Sequence, residues 1–177
     1  MKKSGILIVF IVVLIGLAVY QDFSSRNKEV ALPTETAPKP SYRAPAFTLQ
    51  GLDGLTYEVG GKRDKPLFLN FWASWCGPCE LEAPDLKRMY DKYKDQLDMY
   101  AVNVTRSDKL DKVEKFAERH EFRFPVLLDR EGKASELYKF YFIPTSYLID
   151  RNGVIVEVIN LVDSNQLEGK IKALIER

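Results

Sequence analysis

Two cysteines, Cys76 and Cys79, stand three residues apart just beyond a nearly continuous apolar run, Leu67-Phe68-Leu69-Asn70-Phe71-Trp72. A run with no polar face is expected of a central strand covered on both sides. A helix should open near the cysteines and continue to about Gln96, with a kink at Pro84. The order strand, Cys-Gly-Pro-Cys, helix constrains the chemistry. The first cysteine falls near a helix N-terminus, where unpaired amides and the helix dipole favour a thiolate. Cys-x-x-Cys cysteines so placed have pKa values of roughly 3.5–7.5, against about 8.5 for a free thiol. The thiolate is the species that attacks a disulfide. Gly77 and Pro78 fix the turn, since proline suits a first helical turn that needs no amide hydrogen there. Cys79, one turn in, is shielded yet close enough to resolve a mixed disulfide. This spacing makes Cys76 the nucleophile and Cys79 the resolving thiol.

The rest of the composition narrows the field. These are the only two cysteines, and His120 is the only histidine. A disulfide scaffold would need more cysteines at longer spacings. The three residues cannot complete a four-ligand zinc site from these types alone, so no metal is expected. The net charge is +1. Nucleic-acid binders usually carry a basic excess, so no nucleic-acid partner is expected.

The chain divides into three parts. Residues 1–20 form a candidate membrane signal-anchor: Lys2 and Lys3 precede the apolar run Gly5 to Tyr20. As a helix that run spans roughly 24 Å, slightly short of the ~30 Å hydrocarbon core, and snorkelling lysines can cover the difference. A cleaved signal peptide is the alternative, with small residues at Gly16-Leu17-Ala18. The positive-inside rule puts the N-terminus in the cytoplasm and the domain on the extracytoplasmic side. Residues 21–43 read as a linker carrying Pro33, Pro38 and Pro40. Residues 44–177 read as one α/β domain, a mixed central sheet flanked by helices. Within it, Phe47 to Leu49 and Thr56 to Val59 form an N-terminal hairpin. Met99 to Val104 and Phe124 to Leu128 are strands, and Ser107 to His120 is an amphipathic helix. Lys133 to Tyr138 is a short helix. Thr145 to Ile149 and Val154 to Ile159 pair across Asp150-Arg151-Asn152-Gly153. Ser164 should cap the last helix.

The stretch Phe71-Trp72-Ala73-Ser74-Trp75-Cys76-Gly77-Pro78-Cys79 resembles the thioredoxin active site, and Phe142-Ile143-Pro144-Thr145 resembles the thioredoxin loop whose cis-proline faces the cysteines. The resemblance implies the thioredoxin fold over residues 44–177. It also implies substrate-binding roles for Trp75, Gly77, Pro78, Ile143 and Pro144. More narrowly the chain is similar to the extracytoplasmic, membrane-tethered ResA/TlpA-like group. It shares the anchor, the Ala44-Pro45-Ala46-Phe47-Thr48-Leu49 opening, a strand-helix insertion around Ala101 to Phe124, and Glu82 three residues past Cys79. Two departures stand out. Asn70 occupies the place of the buried Asp of cytosolic thioredoxins, and Gly77 stands where ResA carries an acidic residue.

The resemblance implies a thiol–disulfide oxidoreductase with no bound cofactor beyond the Cys76–Cys79 disulfide. It is expected to be a monomer that reduces disulfides of extracytoplasmic proteins. Within the group, members act in cytochrome c biogenesis, on apocytochrome c, or in spore-envelope assembly. With two cysteines the chain carries no electron relay, so a membrane thiol donor of the CcdA/DsbD type is implied. The Gly-Pro pair resembles thioredoxin, near roughly −270 mV, more than the oxidant DsbA, near roughly −120 mV. An oxidase or isomerase in the same place is the alternative. A Sco-like copper module fits less well, because those resemble Cys-x-x-x-Cys with a distal histidine. A peroxidase fits less well still. Because Asn70 cannot accept a proton at neutral pH, Glu82 is the expected general base for Cys79: three residues on, it shares the helix face of Cys79. His120, Lys109, Lys112 and Lys115 read as surface residues, and Tyr138 to Phe142 as core or as a rim facing the substrate.

Overall fold

The computed structural model describes residues 10–21 and 32–177. The chain forms two compact units, 1–32 and 33–177. Residues 10–21 are helical, with exposed apolar side chains. Among the described residues no helix is long and apolar enough to cross a membrane. The first nine residues of the expected anchor, and 22–31 of the linker, lie outside the described residues.

The larger unit contains a short hairpin, β1 (Phe47–Gln50) and β2 (Thr56–Val59), and a five-stranded sheet. The sheet comprises β3 (Leu67–Trp72), β4 (Asp98–Asn103), β5 (Val126–Leu128), β6 (Thr145–Ile149) and β7 (Ile155–Ile159) in the order β5-β4-β3-β6-β7. Strand β3 is central, parallel to β4 and antiparallel to β6. The helices are α1 (Gly77–Tyr93), α2 (Leu110–Arg119), α3 (Lys133–Tyr138) and α4 (Ser164–Ile175).

Every residue of β3 is buried, which explains why its sequence lacks a polar face. Alternation along the strand divides its side chains between two cores. Phe68 and Trp72 pack with Ala83, Leu86 and Met89 of α1, Phe116 of α2 and Ile171 of α4. Leu67, Leu69 and Phe71 pack with Phe47, Val59, Tyr138 and Tyr147 on the other side. Asn70 shares the face of Phe68 and Trp72, so the one polar residue of the strand is directed to the α1 side.

Three features differ from the sequence expectation. Residues 33–43, read as linker from their prolines, are bonded to the last hairpin. Ser41 N–H donates to the Ile155 carbonyl (2.8 Å), Ile155 N–H to Tyr42 (2.9 Å) and Ala44 N–H to Gly153 (2.9 Å). An exposed strand edge offers unpaired backbone groups, and this segment satisfies them. The α4 cap is Asp163 rather than Ser164: its carboxylate accepts from Asn165 N–H and Gln166 N–H, both 3.0 Å. The helix expected from Ser107 opens only at Leu110, after a single turn of 3-10 helix at Thr105–Ser107. The β6–β7 turn requires glycine at 153. Its φ is +77°, and a Cβ would sit 2.2 Å from the Gly61 carbonyl oxygen.

Candidate active site

Cys76 is the N-cap of α1, with extended backbone (φ −87°, ψ 108°). Gly77, Pro78 and Cys79 open the helix, and α1 continues through Pro84 to Tyr93. The two cysteines are joined in a disulfide, with Cα atoms 5.2 Å apart. Cys79 N–H donates to Cys76 Sγ at 3.2 Å, so the first sulfur takes the place of a capping oxygen and lies in the field of the helix start. Both cysteines are buried in this oxidised state, at 6% and 4% exposure. Exposure therefore does not separate them; position at the helix end does.

Across from the disulfide the Ile143–Pro144 bond is cis, and the Ile143 carbonyl oxygen lies 3.6 Å from Cys76 Sγ. Trp75 is 62% exposed, its indole nitrogen donating to the Ser107 carbonyl at 3.0 Å. Tyr138 is core, Phe140 is half-buried, and Tyr141 and Phe142 are 98% and 61% exposed. The aromatic run thus divides between core and rim. Trp75, Val104, Arg106, Tyr141, Phe142 and Ile143 line an open groove of about 570 Å³ beside the disulfide.

Glu82, one turn past Cys79, is 3% exposed. The Asn70 amide donates to Glu82 Oε2 (3.1 Å) and to Ser146 Oγ (2.9 Å). Asn70 and Ser146 are direct cross-strand partners on β3 and β6, so the cluster is set by sheet register. Glu82 Oε1 has no hydrogen-bond partner among the described residues. Burial pushes the carboxyl up to about 7, against the opposing pull of the Asn70 hydrogen bond. Glu80 is turned away, paired with Arg119 (2.6 Å) and His120 Nε2 (2.9 Å). His120 is thereby tucked, half-buried, into a hydrogen bond with Glu80 and against Phe116 rather than free at the surface, while Lys109, Lys112 and Lys115 are exposed.

Sequence reasoning missed Asp108. It accepts from Ser74 N–H (2.6 Å), Ser74 Oγ (2.6 Å) and the Asn103 amide (2.9 Å), tying the loop before Cys76 to the end of β4. Burial raises its carboxyl, but these hydrogen bonds outweigh burial and hold it below the usual range. Among the described residues no group of three or more His, Cys, Asp or Glu is placed to hold a metal ion.

Comparison with known proteins gives a consistent result. The model of the AhpC/TSA family matches residues 40–158. The chain is similar to the thioredoxin-like protein YneN of Bacillus subtilis, 33% identical over 170 residues, covering 95% of each protein. It is 37% identical over 158 residues to the thiol-disulfide oxidoreductase ResA of Geobacillus kaustophilus, covering 89% of this chain and 84% of that one. The crystal structure of StoA from Bacillus subtilis superposes with a TM-score of 0.62 at 29% identity, covering 71% of this chain and 95% of StoA.

Proposed function

Because the chain belongs to the thioredoxin-like AhpC/TSA family and is a thiol–disulfide oxidoreductase similar to ResA and YneN, we propose that it works in the reducing direction, on disulfides of extracytoplasmic proteins. The observation that carries this reading is the Cys76-Gly77-Pro78-Cys79 pair at the N-terminus of α1, with the Gly-Pro dipeptide of thioredoxin-like reductants and the cis Ile143–Pro144 loop 3.6 Å from Cys76 Sγ. The buried Glu82 carboxyl, one turn past Cys79 and pushed up to about 7, can take and return the proton that the exchange moves in either direction.

In the reduced enzyme the Cys76 thiolate attacks one sulfur of a substrate disulfide. A Cys76–substrate bond forms, the substrate S–S bond breaks, and one substrate thiolate leaves. Cys79 gives its proton to Glu82 and attacks Cys76 Sγ, forming the Cys76–Cys79 disulfide and releasing the second substrate thiolate. Two electrons pass from the enzyme dithiol to the substrate, and the reaction needs no cofactor beyond this pair. Trp75, Gly77, Pro78, Ile143 and Pro144 form the face on which the substrate lies. The exposed aromatics of the groove suit an unfolded segment with apolar side chains near its cysteine.

The N-terminal apolar run is read as the membrane anchor of a domain on the extracytoplasmic side, where a membrane thiol donor of the CcdA/DsbD type re-reduces it. Apocytochrome c and envelope or spore proteins are the substrate classes this setting suggests. The test is trapping: a Cys79→Ala variant should accumulate mixed disulfides through Cys76 with exported cysteine-containing proteins. Exclusive trapping of cytoplasmic proteins would overturn the assignment.

A further inference from the structure

Asn160 follows β7 and is exposed, yet its side chain is engaged on both sides of its amide nitrogen. Nδ2 donates to the Pro144 carbonyl at 3.1 Å and to Thr145 Oγ1 at 2.8 Å. The Thr145 hydroxyl gives its single proton to the Phe142 carbonyl at 2.7 Å, so toward Asn160 it can only accept, as the Pro144 carbonyl must. These two acceptors dictate that the nitrogen, not the oxygen, of the Asn160 amide faces the loop. Both amide hydrogens are therefore committed to the segment that holds the Ile143 carbonyl 3.6 Å from Cys76 Sγ. One end of that segment is fixed by Thr145, 4% exposed at the start of β6; the other carries the exposed Tyr141 and Phe142. Among the described residues, Asn160 is the only side chain other than Thr145 and the Cys76 sulfur in hydrogen-bond contact with the backbone of residues 141–144.

We propose that Asn160 is a positioning residue for polypeptide substrates: acting through Pro144 and Thr145, it holds the Ile143 backbone where an extended, disulfide-bearing segment can pair with it. The inference rests on the reading that the substrate lies along this loop. An extended peptide gains affinity from fixed backbone partners, and one that must order the loop as it binds loses affinity accordingly. A small disulfide with no peptide backbone makes no such demand. Asn160 should therefore matter for one class of oxidant and not for the other.

The experiment uses the pre-reduced full-length protein and two probes with the same chromogenic leaving group. One is an octapeptide whose central cysteine is in mixed disulfide with thionitrobenzoate; the other is the cysteamine–thionitrobenzoate disulfide. For Asn160→Ala the half-saturating peptide concentration should rise roughly three- to tenfold, the worth of about one hydrogen bond, with the maximal rate unchanged. The rate with the cysteamine probe and the equilibrium with glutathione should match the wild type, while the thermal midpoint falls by a few degrees with the two lost hydrogen bonds. Thr145→Val should reproduce the selective loss, and Thr145→Ser, which keeps the hydroxyl, should restore wild-type behaviour. Parallel loss with both probes would make Asn160 a general structural residue, and no loss with either would leave it without a role; both results overturn the proposal. A wild type that takes the peptide no better than the cysteamine probe would overturn the reading of the loop as a substrate face, and this proposal with it.

Discussion

Replacing Glu82 by Gln should make the oxidised protein more stable at alkaline pH and leave it nearly unchanged at acid pH. A carboxyl whose folded pKa lies above its unfolded one is held protonated by the fold, so ionising it costs stability. For Glu82 the gap runs from the ordinary 4.5 to about 7. At about 1.4 kcal/mol per pH unit, the cost is roughly 3 kcal/mol. It is absent below about pH 4.5, grows between 4.5 and 7, and is complete above 7. Gln is nearly isosteric, never ionises, and retains an oxygen to accept from Asn70, now 3.1 Å away. Its added N–H group, at the unpaired Oε1 position, gives back part of the gain. The net stabilisation at pH 8 should be roughly 1–3 kcal/mol, or about 2–12 °C in thermal midpoint. The disulfide form is the right sample because its cysteines do not titrate. Thermal and urea unfolding of wild type and Glu82→Gln from pH 4 to 8 would measure it. A stability difference that stays flat across that range would refute the account of Glu82 as a buried carboxyl poised near neutrality. If Glu82 is the proposed proton acceptor for Cys79, the same substitution should slow disulfide turnover at pH 7.

Two further outcomes follow from the helix cap and the N-terminal segment. In the reduced protein Cys76 should be alkylated much faster than Cys79, because only Cys76 caps α1; mass-spectrometric rates showing equal labelling would reverse the roles of nucleophile and resolver. A chain starting at residue 33 should fold and keep its redox activity, whereas one starting at 44 should lose about 1–3 kcal/mol with the hydrogen bonds of Ser41 and Tyr42 to the last hairpin, as denaturant unfolding of the two would show.

Much of the site could be read in the sequence because it is local. Cys76, Gly77, Pro78, Cys79 and Glu82 lie within one helix start, where spacing alone sets which side chains share a face. Strand β3 was legible for a related reason: a strand buried on both faces has no polar alternation to confuse it. What remained hidden depends on partners far away in the chain. Asn70 stood out as the polar residue of an apolar strand, but its pairing with Ser146 comes from a register 76 residues apart in sequence. Asp108 and Asn160 look like ordinary loop residues until the sheet brings their loops beside Ser74 and Pro144. The prolines of residues 33–43 suggested an extended linker, yet the segment turns at residues 38–42, with Ser41 at φ +70°, and presents its backbone to the edge of the last hairpin, a pairing that composition does not announce. At α4, Asp163 and Ser164 were adjacent capping residues, and composition could not choose between them.

The reducing direction is the centre of this account, and the potential of the Cys76–Cys79 couple tests it most directly. Equilibration of the full-length protein with glutathione or dithiothreitol buffers, read by Trp75 fluorescence or by gel shift after alkylation, would give the value. It should lie nearer the roughly −270 mV of thioredoxin than the roughly −120 mV of DsbA. A potential above about −180 mV, the range of protein disulfide isomerase, would contradict a reductase and assign the chain to oxidation or isomerisation of its substrates.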